Sequence, residues 1–219
     1  MSDGIARRFH RFPSSVSEPF MHYDPRTGNH GLPHSPFYAL VAPRPIGWIT
    51  SLSETGVVNL APYSFFNAVS SDPPIVMFSS SGRKDSLVNI EKTGEFVCNL
   101  ATWELREEMN LTSGRHAPDV SEPEIAGLEM VPSVLVKPPR VKRSPAALEC
   151  RLLRTLDLTN SDGVPVGNTV IFGEVVQVYI DDAVIIDGRV DLEKIRPLSR
   201  LGYSDYASVD KIFSMKRPG

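Results

Sequence analysis

Residues 42–86 read APRPIGWITSLSETGVVNLAPYSFFNAVSSDPPIVMFSSSGRKDS. Apolar runs of strand length, IGWITSL and IVMFSS, alternate here with corners rich in hydroxyl, amide and proline groups. Glu54-Thr55-Gly56 is a hairpin signal that leads into a strand beginning at residues 57–60. Pro73-Pro74 ends an irregular stretch before IVMFSS. The run closes on SSSGRKDS, where Asp85 or Ser86 can cap a helix whose Leu87 and Ile90 share a face and whose stop is Gly94. Strand ends, polar corners and a basic turn at a helix start point to a phosphate-bearing cofactor laid along them.

Working outward, the folded body starts near Phe37 with YALVAP as a further strand candidate. EFVCNLA is a strand, a helix spans residues 102–112, and residues 113–145 form a proline- and charge-rich excursion with a short helix at PEIAGL. ALECRLLRTLDL and NTVIFGEVVQVYI are the longest strand candidates, joined by a turn at Asp162-Gly163. A strand end at residues 184–186 and a short helix near residues 191–195 precede PLSRLGYSDYA. No βαβ alternation and no G-x-G-x-x-G after a strand occur, so a Rossmann fold is disfavoured and an antiparallel β-barrel with peripheral helices is expected. Residues 1–19 read as a flexible arm and residues 20–219 as one domain.

The 219 residues are 41% hydrophobic, enough for a sizeable core, and the formal net charge of −3 favours neither nucleic acid nor an anionic membrane. Two cysteines, Cys98 and Cys150, sit inside apolar runs, which argues against a disulfide scaffold and for a reducing compartment. The first residues lack an apolar signal core, and no run is long enough to span a bilayer, so a cytoplasmic protein is expected. His22, His30 and His34 lie in a proline-rich arm without cysteine or acidic partners at metal-site spacing, and no metal is expected.

No nucleophile elbow and no Walker motif are present. In SSSGRKDS, hydroxyls, two cations and free helix N–H groups converge in a way that suits a phosphate monoester. An ordinary strand-to-helix turn with solvated basic residues would read the same. NLAPYSFFNAVSSDPP offers Tyr63, Phe65 and Phe66 beside Asn59, Ser64 and Asn67, the mixture a planar heteroaromatic ring needs. Phe65 and Phe66 taken singly read as core rather than as ring contacts.

Residues 42–74 with KDSLVNIEKTGEFVCNL, SPAALECRL, FGEVVQVYIDD and DGRVDLEKIRPLSRLGYSDYA resemble the flavin reductase-like, FMN-binding split-barrel family, nearest its flavoredoxin-type members. The match runs from Tyr23 to Ala207. The resemblance implies a mainly β fold, a six-stranded Greek-key split β-barrel with peripheral helices, that forms a homodimer with non-covalent FMN near its interface. By the same resemblance Arg44, Trp48, Thr50 and Ser51 line the flavin. Asn59, Ala61, Ser64 and Asn67 run along its ring, and Ser80, Arg83, Lys84 and Ser86 receive its phosphate. Arg200 approaches from the C-terminal segment, and no catalytic side chain is implied. This chain has Gly202-Tyr203-Ser204 where many relatives carry a second glycine and no tyrosine, a departure on the substrate side. The implied activity is electron transfer from NADH or NADPH through FMN to an acceptor that the residues leave open: free flavin, a monooxygenase, ferric iron or a redox protein. A flavoredoxin-like electron carrier without nicotinamide activity, and a scaffold that has lost flavin, are the rival readings.

Overall fold

A computed structural model describes residues 21–219, which divide between two units, one ending at Pro36 and a compact one spanning Phe37–Gly219. The expected flexible arm, residues 1–19, lies outside the described residues. Residues 21–36 contain turns but no helix or strand. Arg26 pairs with Asp24 at 2.6 Å, and Tyr23 meets His30 edge-to-face at 5.4 Å.

The second unit opens with a single turn, α1 (Phe37–Leu40), followed by β1 (Arg44–Pro45), β2 (Gly47–Leu52) and β3 (Val58–Tyr63). Then come β4 (Phe66–Ser71), β5 (Pro74–Ser81), α2 (Asp85–Thr93) and β6 (Glu95–Leu100). A 3₁₀ turn at Trp103–Leu105 leads into α3 (Arg106–Leu111), and the excursion carries α4 (Glu122–Ile125), β7 (Met130–Val131) and β8 (Arg140–Val141). Two long strands follow, β9 (Ala146–Thr159) and β10 (Pro165–Ile180), and then β11 (Ile185–Ile186), β12 (Arg189–Val190), α5 (Leu192–Ile195), β13 (Leu198–Arg200) and β14 (Tyr206–Ser208).

The fold is mainly β. Seven strands form one sheet in the order β3-β2-β6-β9-β10-β5-β4, every neighbouring pair antiparallel. Helix α2 carries the chain from β5, near one end of that order, to β6 beside β2. A second sheet joins β1, β13 and β14. Among the described residues no helix is long and apolar enough to cross a membrane.

Strand β2 explains why IGWITSL is apolar throughout: it is covered on both faces. Ile49 packs with Phe78, Leu87, Ile90, Phe96 and Ile171, while Trp48 packs with Leu60, Leu105, Met109 and Val141. Phe78 sits between Tyr63 at 4.7 Å and Phe96 at 5.7 Å. Helix α2 presents buried Leu87 and Ile90 to the first of these clusters and ends at Gly94 with φ 74°, a left-handed stop that favours glycine.

Three local expectations are corrected. YALVAP is not a strand: residues 37–40 form the exposed turn α1, without a strand partner. The Arg44 guanidinium gathers the carbonyls of Tyr38 (2.5 Å), Val41 and Leu201 (2.7 Å), which draws the segment into a loop. The polar stretch before Pro73-Pro74 is regular: β4 is an edge strand, Phe66 to Ser71 paired against β5, with Pro73 in the turn and Pro74 opening β5. The cap of α2 is Lys84, not Asp85 or Ser86, and no side chain caps it.

Candidate functional site

A cleft of about 470 Å³ opens where β3, the start of α2 and the head of the excursion meet. From β3 come Asn59, Ala61, Pro62 and Tyr63; from the turn and α2, Arg83, Lys84, Asp85 and Ser86; from the far side, residues 112–116 with Pro118 and Glu122.

At the α2 end the uncapped helix leaves its first N–H groups without a side-chain acceptor, at the positive end of the helix dipole. The Lys84 ammonium stands 5.8 Å from the centroid of the Tyr63 ring. Tyr63 is 6% exposed, and its hydroxyl has no hydrogen-bond partner among the described residues. Burial pushes the Tyr63 phenol above its ordinary value. The neighbouring Ser86 and Ser80 hydroxyls pull the other way, though neither reaches it in bonding geometry. A buried, unmet hydroxyl is costly unless a ligand completes it. Beneath the cleft lies a network of amides and hydroxyls. The Asn59 amide donates to Ser86 Oγ at 2.8 Å and to Ser51 Oγ at 3.3 Å, and the Asn89 amide also donates to Ser51 at 3.3 Å.

The opposite wall is pinned by two buried contacts. Trp48 Nε1 donates to Thr112 Oγ1 at 2.9 Å, fixing the residue from which the excursion departs. Glu122 Oε2 accepts the Leu60 N–H at 3.0 Å, on the free edge of β3. Burial raises the Glu122 carboxyl above the usual carboxylate range, with the Leu60 N–H and the nearby His116 opposing and Asp85 adding to it. The exposed His116 ring packs over Gly114, where a Cβ would stand 2.6 Å from its Nε2 and would turn the imidazole aside.

Of the residues expected at a flavin, five line this cleft: Asn59, Ala61, Arg83, Lys84 and Ser86. The Arg83 guanidinium is drawn toward α2, where it pairs with Glu91 at 2.5 Å, which raises its own already high pKa. Trp48, Thr50, Ser51 and Ser80 are fully buried beneath the site. Asn99 Nδ2 donates to Thr50 Oγ1 at 2.7 Å, and Ser80 Oγ donates to the Gly82 carbonyl at 2.9 Å. Arg44 is buried as a brace for the carbonyls named above. Asn67 lies on exposed β4, its Oδ1 accepting the Ala68 N–H at 2.8 Å, and does not line the cleft. Ser64 and Arg200 line a neighbouring recess that shares Pro62 and Ser113 with the cleft.

Residues 112–116, Glu122 and the unpaired state of the Tyr63 hydroxyl were not legible in the sequence. The proline- and charge-rich composition marked the excursion, but which of its residues fold back is a tertiary fact. Among the described residues no three His, Cys, Asp or Glu side chains come together to hold a metal, and Cys98 and Cys150 are free and buried.

Comparison with known proteins gives a concordant result. The family model for the flavin reductase like domain matches residues 40–191. A relative from Aquifex aeolicus (strain VF5), named only as an uncharacterized protein, is 40% identical over 173 residues, 76% of this chain and 85% of its own. The crystal structure of nitrilotriacetate monooxygenase component B from Bacillus cereus superposes with a TM-score of 0.82 at 30% identity, covering 91% of this chain and all of that one (100%). Pseudomonas fluorescens 2-nitrobenzoate 2-nitroreductase superposes with a TM-score of 0.74 at 32% identity, covering 83% and 88%.

Proposed function

The chain belongs to the flavin reductase-like family, and from that premise we propose that the cleft binds FMN and that the protein passes electrons from NADH or NADPH to an acceptor. The observation that carries the reading is the α2 end of the cleft. There an uncapped helix N-terminus, the Lys84 ammonium and the Ser86 side chain line one cavity, with the Tyr63 ring in its wall and the Tyr63 hydroxyl buried behind it. These are donors only an anion with several oxygens satisfies together, and a phosphate monoester is that anion.

The residues present fit the group. Lys84, Ser86 and Tyr63 would hold the phosphate. Ala61 and Pro62 on one side, and residues 112–114 on the other, would wall the remainder of the cofactor. Bound FMN supplies the two-electron chemistry, so no acid or base of the protein is needed for it. The buried amide and hydroxyl network keeps Ser86 in place, and the Trp48–Thr112 and Glu122–Leu60 contacts hold the far wall.

The acceptor class follows from the family's range: free flavin, a monooxygenase or a redox protein. A homodimer is part of the same reading, supported by the apolar residues on β9, β10 and their turn that stand exposed in the single chain: Leu153, Leu156, Val164 and Val166.

The test is direct. Titration of the purified chain with FMN should quench flavin fluorescence, and anaerobic stopped-flow mixing with NADH or NADPH should bleach the bound flavin. Tight FMN binding with no bleaching by either nicotinamide, but fast reduction by a protein donor, would replace the reductase with an electron carrier. No quenching at all would leave the family's scaffold without its cofactor.

A further inference from the structure

We propose that Arg115 closes the cleft over its anionic ligand: residues 113–121 form a strap that swings onto the occupied cleft and sets the Arg115 guanidinium on the phosphate, opposite Lys84. This role rests on the FMN reading and adds a second cation to it. Arg115 comes from the head of the excursion and lines the same cleft as Lys84 and Ser86. Of the two arginines in the lining, Arg83 is spoken for by Glu91 on α2. Arg115 is exposed and makes no hydrogen bond or ion pair among the described residues. Neither Asp85 nor Glu122, the acids of the lining, holds it.

The strap is tied at its ends and free between them. At one end Trp48 Nε1 holds the Thr112 hydroxyl, and at the other the Leu60 N–H holds the Glu122 carboxyl. Between these pins the backbone N–H groups bond only to near neighbours in the chain: Ser113 N to Asn110 O at 3.1 Å, Gly114 N to Leu111 O at 3.2 Å and Val120 N to Ala117 O at 3.0 Å. Among the described residues, none of them bonds to β3 or α2. The side chains from Ser113 to Asp119 are all exposed. Such a segment shifts without disturbing the sheet or the buried clusters beneath it.

Charge decides what brings the strap down. A phosphate monoester carries about −1.5 to −2 charges near neutral pH. On the α2 side it meets the Lys84 ammonium and a helix N-terminus equivalent to about +0.5 charge. Asp85, in the first turn of α2, subtracts from these. That side is therefore short by about one positive charge or more, and Arg115 is the unpaired arginine across the cleft from it. Its planar fork meets two phosphate oxygens together, which a lysine ammonium does not do. Riboflavin has the same ring and ribityl chain but no phosphate and offers the guanidinium no anion, so closure follows the phosphate rather than the ring.

Fluorescence titration of the full chain with FMN and with riboflavin tests the role. The unaltered chain should prefer FMN. Arg115→Gln should lower FMN affinity about tenfold, the value of a charge-assisted bond to phosphate, and leave riboflavin affinity unchanged. Arg115→Lys should restore part of the loss. Unchanged FMN affinity in Arg115→Gln would overturn the proposal, and so would an equal loss for both flavins, which would make Arg115 a support of the wall. Closure is read separately on the unaltered chain, by trypsin cleavage after Arg115. Saturating FMN should slow that cleavage and saturating riboflavin should not, while cleavage after Lys211 in the exposed C-terminal tail stays constant. Cleavage after Arg115 at one rate with and without FMN would overturn the strap. A parent chain that binds both flavins equally would remove the phosphate reading and the role of Arg115 with it, whereas an FMN preference that survives intact in Arg115→Gln would remove Arg115 alone.

Discussion

Tyr63, Lys84 and Glu122 differ in what their surroundings leave unfinished. The Tyr63 hydroxyl is buried without a partner, so Tyr63→Phe should leave the stability of the flavin-free chain unchanged or raised. The same change should weaken FMN binding by about 0.5–1.5 kcal/mol, the net value of one hydrogen bond. Paired thermal melts and fluorescence titrations measure the two effects. Lys84→Ala should weaken FMN binding by about 1–3 kcal/mol, because a bond from a cation to phosphate is stronger. Unchanged affinity would place the phosphate elsewhere. Glu122 calls for a pH measurement. Its carboxyl is raised by burial, so the folded chain holds the proton to higher pH than the unfolded chain, where glutamate titrates at about 4.3. Stability therefore falls as pH rises from the unfolded value through the raised one. In Glu122→Gln the amide oxygen still accepts the Leu60 N–H but carries no charge. The variant should gain on the parent across that window, with a constant gap above it, in urea denaturation from pH 4 to 8.

At the scale of elements, the core depends on a glycine that leaves room for a ring reaching across the sheet. Gly173 on β10 faces Phe96 on β6 across β9, and a Cβ there would stand 2.3 Å from Phe96 Cζ and 3.2 Å from Cys150 Cβ. Gly173→Ala should therefore overpack the core and destabilise the chain by about 1–3 kcal/mol, read as a lower urea midpoint at unchanged slope. The long strands β9 and β10 were legible from composition and length, and α2 from its apolar face and its glycine stop. Strand β4 was not, because FNAVSS is polar and an edge strand buries little that would impose a period. The turn α1 was mistaken for a strand because YALVAP has strand composition, and only Arg44, reaching back to its carbonyls, shows why it coils.

At the scale of the whole molecule, the question is what covers β9. Strand β6 pairs with β9 only along Ala147 to Arg151, and beyond Leu152 the outer edge of β9 has no partner among the described residues, while Leu153 and Leu156 are nearly half exposed (48% and 46%). An open edge with exposed leucines favours association with a second copy. Leu156→Lys should lower the apparent mass in size-exclusion chromatography with light scattering without unfolding the chain. A monomeric parent protein would remove the premise.

The sequence by itself determined the class of the fold, the run of strands around residues 42–86 and the basic turn at the start of α2. These are local facts: apolar runs of strand length, a glycine stop and a hydroxyl-rich turn are written in neighbouring residues. It also carried the family, through motifs spread in order from Tyr23 to Ala207. Only the tertiary structure decided which candidates face a cavity. Thr50, Ser51 and Ser80 sit on strands or turns covered by other elements and became its supports, whereas residues 112–116 and Glu122, distant in the chain, became its wall. Burial is set by what folds over a residue, and neither spacing nor composition records that.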